Sequence, residues 1–101
     1  IVLRKYKTVI LVHGCFWHIH SGCRNAKLPS TRSEFWHAKL QGNVARDSQA
    51  IASLLAAGWR VLTVWECATR DTEVLARLSE LISQWIESAE SVGEISAAQP
   101  A

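Results

Sequence analysis

Within eight consecutive residues, His13-Gly14-Cys15-Phe16-Trp17-His18-Ile19-His20, the chain places three imidazoles, a thiol and two large aromatic rings, and Cys23 follows three positions later. Residues 14 to 30, which hold most of this run, have neither a helical nor a strand period and include Gly14, Gly22 and Pro29. Such a segment cannot order itself by burying a regular apolar face. A metal ion is the obvious agent to hold it. The chain has three cysteines, Cys15, Cys23 and Cys67, and an odd number beside nearby histidines favours metal over disulfides. Three thiols and one imidazole would make a closed tetrahedral zinc site. The competing reading is three scattered core thiols, because free cysteine is among the most buried residue types. Spacing does not choose the histidine: His18 and His20 both lie between Cys15 and Cys23, and strand-like alternation would send both to one side.

The flanking sequence supplies a frame for the loop. Val2 to Val12 is rich in β-branched and aromatic residues and reads as a largely buried strand ending at Gly14. Thr31-Arg32-Ser33-Glu34 has the spacing of a capping box. It predicts a helix from about Arg32 to Ala57, with Phe35, Leu40, Val44, Ile51, Leu54 and Leu55 at helical intervals, an interruption near Gly42-Asn43 and a stop at Gly58. Trp59 to Cys67 reads as a second strand, parallel to the first through a crossover, with Cys67 at its end. Val74, Leu75, Leu78, Leu81, Ile82, Trp85 and Ile86 mark the core face of a last helix. After Ser88 the pattern dissolves, so the expected organisation is one α/β domain over residues 1–87 and a flexible tail over 88–101.

Charge is distributed unevenly. Residues 1 to 33 carry Arg4, Lys5, Lys7, Arg24, Lys27 and Arg32 and no carboxylate, whereas five basic residues face nine acidic ones from Glu34 onward. A basic stretch interleaved with Phe16, Trp17 and Trp36 suits a surface that tracks phosphates and stacks on bases, although a solvated basic face has the same composition. The longest apolar run, Val9 to Val12, is far short of the roughly 20 residues of a membrane helix. No signal-peptide pattern is present, so the chain reads as an intracellular, cytoplasmic protein. It contains no Met and opens on Ile1 inside a strand-like run, which places its natural start upstream.

The string HGCFWH followed by a histidine and a cysteine, then PSTRSEFW, an Asn-Val-x-Arg-Asp segment and GWRVLTVWEC, resembles the very-short-patch-repair mismatch endonucleases from Ile1 to about Ile86. The resemblance implies a restriction-endonuclease-like fold, a central mixed sheet flanked by helices with a structural zinc. It implies magnesium-dependent nicking of double-stranded DNA on the 5′ side of the thymine in a T·G mismatch, with mismatch-repair proteins as partners. By position, it implies zinc ligands Cys15, His20, Cys23 and Cys67, and catalytic histidines His13 and His18. It also implies that Phe16, Trp17 and Trp36 wedge between base pairs, and that the backbone carbonyl of Val12 contacts magnesium. Aromatic wedges must be held rigidly, because unstacking a base step costs a few kcal/mol.

One part of the pattern is missing. Magnesium takes oxygen ligands, yet no carboxylate precedes Glu34, and the family's aspartate falls just before the position of Ile1. The expectation is therefore a chain that binds zinc and DNA but does not nick by itself. The alternatives are a catalytically inactive, zinc-stabilised DNA-binding remnant and a related nuclease of a mobile element or restriction system.

Overall fold

The computed structural model describes residues 1–21, 23 and 26–97. In chain order the elements are β1 (Val2–Leu3), a 3₁₀ turn (Arg4–Tyr6), β2 (Thr8–His13), α1 (Ser33–Ala56), β3 (Arg60–Trp65), α2 (Glu66–Arg70), α3 (Thr72–Ala76), α4 (Leu78–Glu87) and β4 (Val92–Ile95). The strands form a mixed sheet in the order β1-β2-β3-β4. β1 is antiparallel to β2, while β2, β3 and β4 run parallel. The α/β expectation and the parallel pairing of the two long strands are both met.

Alternation along β3 sends its residues to two faces. Leu62 and Val64 join Ile10, Ala68 and Ile95 in a core covered by Val74, Leu78, Leu81, Ile82 and Trp85 of α3 and α4. Thr63 and Trp65 face the opposite way, where Val44, Asp47 and Ile51 of α1 line a cleft with them. The sheet thus packs on α3 and α4 with one face, and its other face meets α1 across a cleft that His13, His18, Asp47 and Glu94 line together with Val44 and Ile51.

Local chemistry modifies several expected elements. Val2 to Val12 is not one strand: Lys7 adopts a left-handed conformation (φ 53°) and its N–H bonds to the Arg4 carbonyl, so β1 folds back along β2. Arg32, also left-handed (φ 54°), occupies the N-cap of α1 without a side-chain cap. The Thr31 capping box is therefore not formed, and the Arg32 guanidinium instead lies over the Phe35 ring at 4.4 Å. Helix α1 continues through Gly42-Asn43, since one helical glycine costs only about 1 kcal/mol. Gly58 does end the helix region, with φ 91°. The second strand stops at Trp65, and Cys67 sits in α2. The expected last helix is divided, with Asp71 Oδ1 capping α3 by accepting from the Glu73 and Val74 amides at 3.0 Å.

The largest departure concerns the segment read as a tail. Residues 88–97 return to the sheet and form β4 beside β3; residues 98–101 lie outside the described part. Four carbonyl groups explain the return: Arg60 donates to those of Trp85 (2.9 Å), Ile86 (2.9 Å), Ser88 (3.0 Å) and Glu90 (2.9 Å). Its guanidinium also stacks on Trp85 at 4.5 Å. A cation is favourable at a helix C-terminus, and here it turns the chain out of α4 toward β4.

Gly93, within β4, leaves room for the strand to pass against the Trp85 indole. A Cβ at position 93 would meet the Trp85 indole well inside van der Waals contact at Nε1, and at 2.9 and 3.0 Å from Cδ1 and Cε2. Gly93→Ala is expected to destabilise the fold by about 1–3 kcal/mol through overpacking. The check is a lower denaturant midpoint at unchanged slope.

Candidate metal centre and histidine cleft

The loop after β2 is drawn in by its own backbone. His18 N–H bonds to the Gly14 carbonyl (3.1 Å), His20 N–H to Cys15 (2.9 Å) and Cys23 N–H to His20 (3.2 Å). These turns bring Cys15, His20, Cys23 and Cys67 together, with one donor atom from each within 4.8 Å of all the others. His20 Nδ1 is 3.6 Å from both Cys15 Sγ and Cys67 Sγ. Cys15 Sγ accepts from the Cys67 amide and Cys67 Sγ from the Ala97 amide, each at 3.4 Å. Cys15, His20 and Cys67 are buried, and Cys23 closes the half-buried side.

Three sulfurs and one imidazole nitrogen at this separation fit a single tetrahedral ion. The electrostatics agree with that fit. Burial pushes the Cys15 thiol up to about 12, so a thiolate there needs a cation beside it.

His18 does not join this group. Tight turns replace strand-like alternation, and Ile19 between the two imidazoles is left-handed (φ 46°), so His18 and His20 point to different places. His18 Nδ1 hydrogen-bonds Asp47 Oδ2 of α1, and its ring stacks on His13 with centroids 4.0 Å apart and planes 8° from parallel. His13, His18 and Asp47 form a second cluster on a cleft of about 830 Å³ that Trp65 and Glu94 also line. His13 ends β2 opposite Trp65 at the end of β3, the edge of a parallel sheet where ligand sites usually open.

Asp47 was absent from the expected site residues. A signal existed in the Asn-Val-x-Arg-Asp segment, because Asn43 and Asp47 at i and i+4 share one helix face. Asn43 donates from Nδ2 to the Trp17 carbonyl at 3.0 Å, and Asp47 holds His18. One side of α1 thus grips the loop at two points.

The aromatic residues gather on the other side of the loop. Phe16 contacts Trp17 at 5.1 Å and Trp36 at 5.6 Å between centroids, and Trp17 meets Trp36 at 5.9 Å, all edge to face. Phe35, which the sequence placed at helical spacing in α1, extends this cluster by packing on Trp36 at 5.4 Å and is exposed, as is Trp17.

Burial lowers the pKa of His13 from its ordinary 6.5, with the neighbouring His18 acting in the same direction and Asp47 and Glu94 opposing. Burial also lowers that of His20, against Glu94. Both imidazoles are therefore neutral when folded at pH 7, and the unfolded chain binds more protons once the pH falls below about 6.5. Stability rises with pH in that window and is lost on acidification toward the lower folded values. Proton competition for metal ligands has the same sign. Denaturant midpoints are expected to fall as the pH drops from 6.5 to 5.

A mixed α/β sheet carrying a Cys/His metal-type cluster beside a His-His-Asp cleft defines a protein with one candidate scaffold site and one candidate reactive site. Comparison with known proteins makes this specific. The family described as DNA mismatch endonuclease Vsr matches residues 1–25. DNA mismatch endonuclease Vsr of Escherichia coli (strain K12) is 49% identical over 87 residues, covering 84% of this chain and 55% of that protein. Type II nicking enzyme V.XorIIP of Xanthomonas oryzae pv. oryzae is 46% identical over 83 residues, covering 81% of this chain and 60% of the relative. Type II nicking enzyme V.NmeAIP of Neisseria meningitidis serogroup A is 39% identical over 85 residues, with coverages of 83% and 60%. The chain is similar to these Vsr-type proteins over more than four fifths of its own length, and it spans somewhat more than half of theirs. Among the described residues no helix is long and apolar enough to cross a membrane.

Proposed function

We propose that this chain forms part of a Vsr-type nicking endonuclease, a cytoplasmic enzyme that hydrolyses one strand of double-stranded DNA beside a T·G mismatch on a restriction-endonuclease-like core. The observation that carries this reading is the double use of one loop. Residues 13–20 present Phe16 and Trp17 beside Trp36 on one side and His13 and His18 on the other, while the Cys/His cluster braces the loop between them. A rigid aromatic edge can enter and unstack a base step. Imidazoles a few residues away can then move protons at the adjacent phosphodiester.

Zinc is the proposed occupant of Cys15, His20, Cys23 and Cys67, where it supplies a structural cross-link and no reaction chemistry. His18, oriented through Nδ1 by Asp47, exchanges a proton at its other ring nitrogen, which faces the cleft. His13, stacked on it and neutral, hydrogen-bonds the phosphate or the attacking water.

Magnesium fits the described residues poorly. It is held through oxygen and usually through carboxylates, but Asp47 is engaged by His18 and Glu94 by Trp65. The Val12 carbonyl, one residue before His13, is a single further oxygen. No step is therefore routed through that ion. This shortage favours a second reading, a zinc-stabilised DNA-binding module without chemistry.

The deciding experiment incubates purified protein and magnesium with end-labelled T·G and T·A duplexes. A nick 5′ of the mismatched thymine, absent from the T·A control, supports the endonuclease. Retained duplex binding without any nick supports the second reading.

A further inference from the structure

Strand β4 brings to the cleft a side chain that the mechanism above does not use. Its Glu94 pairs in register with Thr63 of β3, and Glu94 Oε1 accepts from Trp65 Nε1 at 2.7 Å. Trp65 is 8% exposed, so its N–H has little access to water and depends on this partner.

The Trp65 ring is shared by both clusters. It lies flat on His20, with centroids 4.1 Å apart and planes 8° from parallel. It turns its edge toward His13 at 5.4 Å and 75°, and toward His18 at 6.5 Å and 71°. Any rotation of this indole shifts the support of the His20 ligand and of the two cleft imidazoles together. Packing resists movement across the ring plane, whereas rotation within the plane is opposed mainly by the hydrogen bond to Glu94.

We propose that Glu94 is a positioning residue for the cleft, fixing the Trp65 indole that sets His20 on one side and His13 and His18 on the other. The inference rests on the endonuclease reading for its catalytic consequence, and on geometry alone for the coupling. Glutamine at position 94 keeps an acceptor oxygen and should preserve the bond. Alanine removes it, and Trp65→Phe removes the donor while keeping a stacked ring.

The test combines three readouts on wild type, Glu94→Ala, Glu94→Gln, Trp65→Phe and the Glu94→Ala/Trp65→Phe double variant. In ¹⁵N spectra the indole N–H signal absent from Trp65→Phe belongs to Trp65; it should be protected from solvent exchange in wild type and Glu94→Gln and lose protection in Glu94→Ala. With Co²⁺ loaded into the Cys/His cluster, the visible absorption bands should shift in Glu94→Ala and Trp65→Phe and stay in place in Glu94→Gln. On a T·G duplex, each disruptive change should lower kcat by on the order of 10- to 100-fold with KM within about twofold, and the double variant should be no slower than either. Glu94→Gln behaving like Glu94→Ala, or a protected Trp65 signal in Glu94→Ala, overturns the proposal. A wild-type protein that does not nick defeats the endonuclease reading alone, because the indole and cobalt readouts still decide the role of Glu94.

Discussion

Cys67→Ala is expected to release the bound metal and to loosen the loop at residues 14–23 while the sheet persists. Cys67 lies in α2, 52 residues along the chain from Cys15, and as a ligand of the proposed zinc it would join the loop to the end of β3. Removing it leaves Cys15, His20 and Cys23, all on the loop itself, so any residual ion no longer ties that loop to β3 and α2. The loss also strips a buried site of one thiolate, leaving Cys15 where burial disfavours the charged form. Losing a structural metal belongs among the few single changes that cost on the order of 4 kcal/mol or more. Native mass spectrometry should show about one zinc per wild-type chain and a substoichiometric amount in the variant. Hydrogen exchange should rise in the loop before it rises in β2 and β3. Unchanged metal content would remove Cys67 from the ligand set.

The readable and unreadable parts of this chain separate by the range of the forces involved. The β3 run Arg60–Trp65 and the α4 stripe were legible because a buried face imposes its period on neighbouring residues. The tight turn at Lys7 and the left-handed entry at Arg32 were hidden, because a single backbone conformation decides each and no side-chain pattern announces it. β4 was hidden for a different reason. Val92-Gly93-Glu94-Ile95 contains one buried residue, Ile95, and the strand is recruited by Arg60 and by room beside Trp85, both distant in sequence. The site follows the same division. The candidate ligands Cys15 and Cys23 announce themselves by proximity, and Cys67 by following a strand. Spacing left His18 and His20 open and the family resemblance preferred His20; the turns that send the two to separate clusters give the physical reason. Asp47 had a signal in the shared helix face with Asn43, whereas Glu94 has the ordinary surroundings of a polar segment and acquires meaning only when β4 brings it to the cleft.

Asp47→Asn is expected to reduce nicking by about 10²- to 10⁴-fold in kcat, with duplex affinity and zinc content close to wild type. The carboxylate accepts a hydrogen bond from His18 Nδ1–H, which leaves the opposite ring nitrogen free to take a proton from water or from the reacting oxygens. An asparagine can present its amide N–H₂ to Nδ1, which favours the other tautomer and places a hydrogen where the base should be. It also removes the negative charge that stabilises the imidazolium formed during proton transfer. Asp47 is on α1, away from the Cys/His cluster, and the aromatic loop keeps its second tether through Asn43 and the Trp17 carbonyl. Binding and folding should therefore survive the change. Single-turnover nicking of a T·G duplex, read beside a gel-shift titration, separates the two effects. His18→Ala should be at least as slow, and combining it with Asp47→Asn should add little, because the carboxylate acts through the imidazole. A near-wild-type nicking rate in Asp47→Asn would exclude proton transfer by His18 and would leave His13 as the imidazole acting at the phosphodiester.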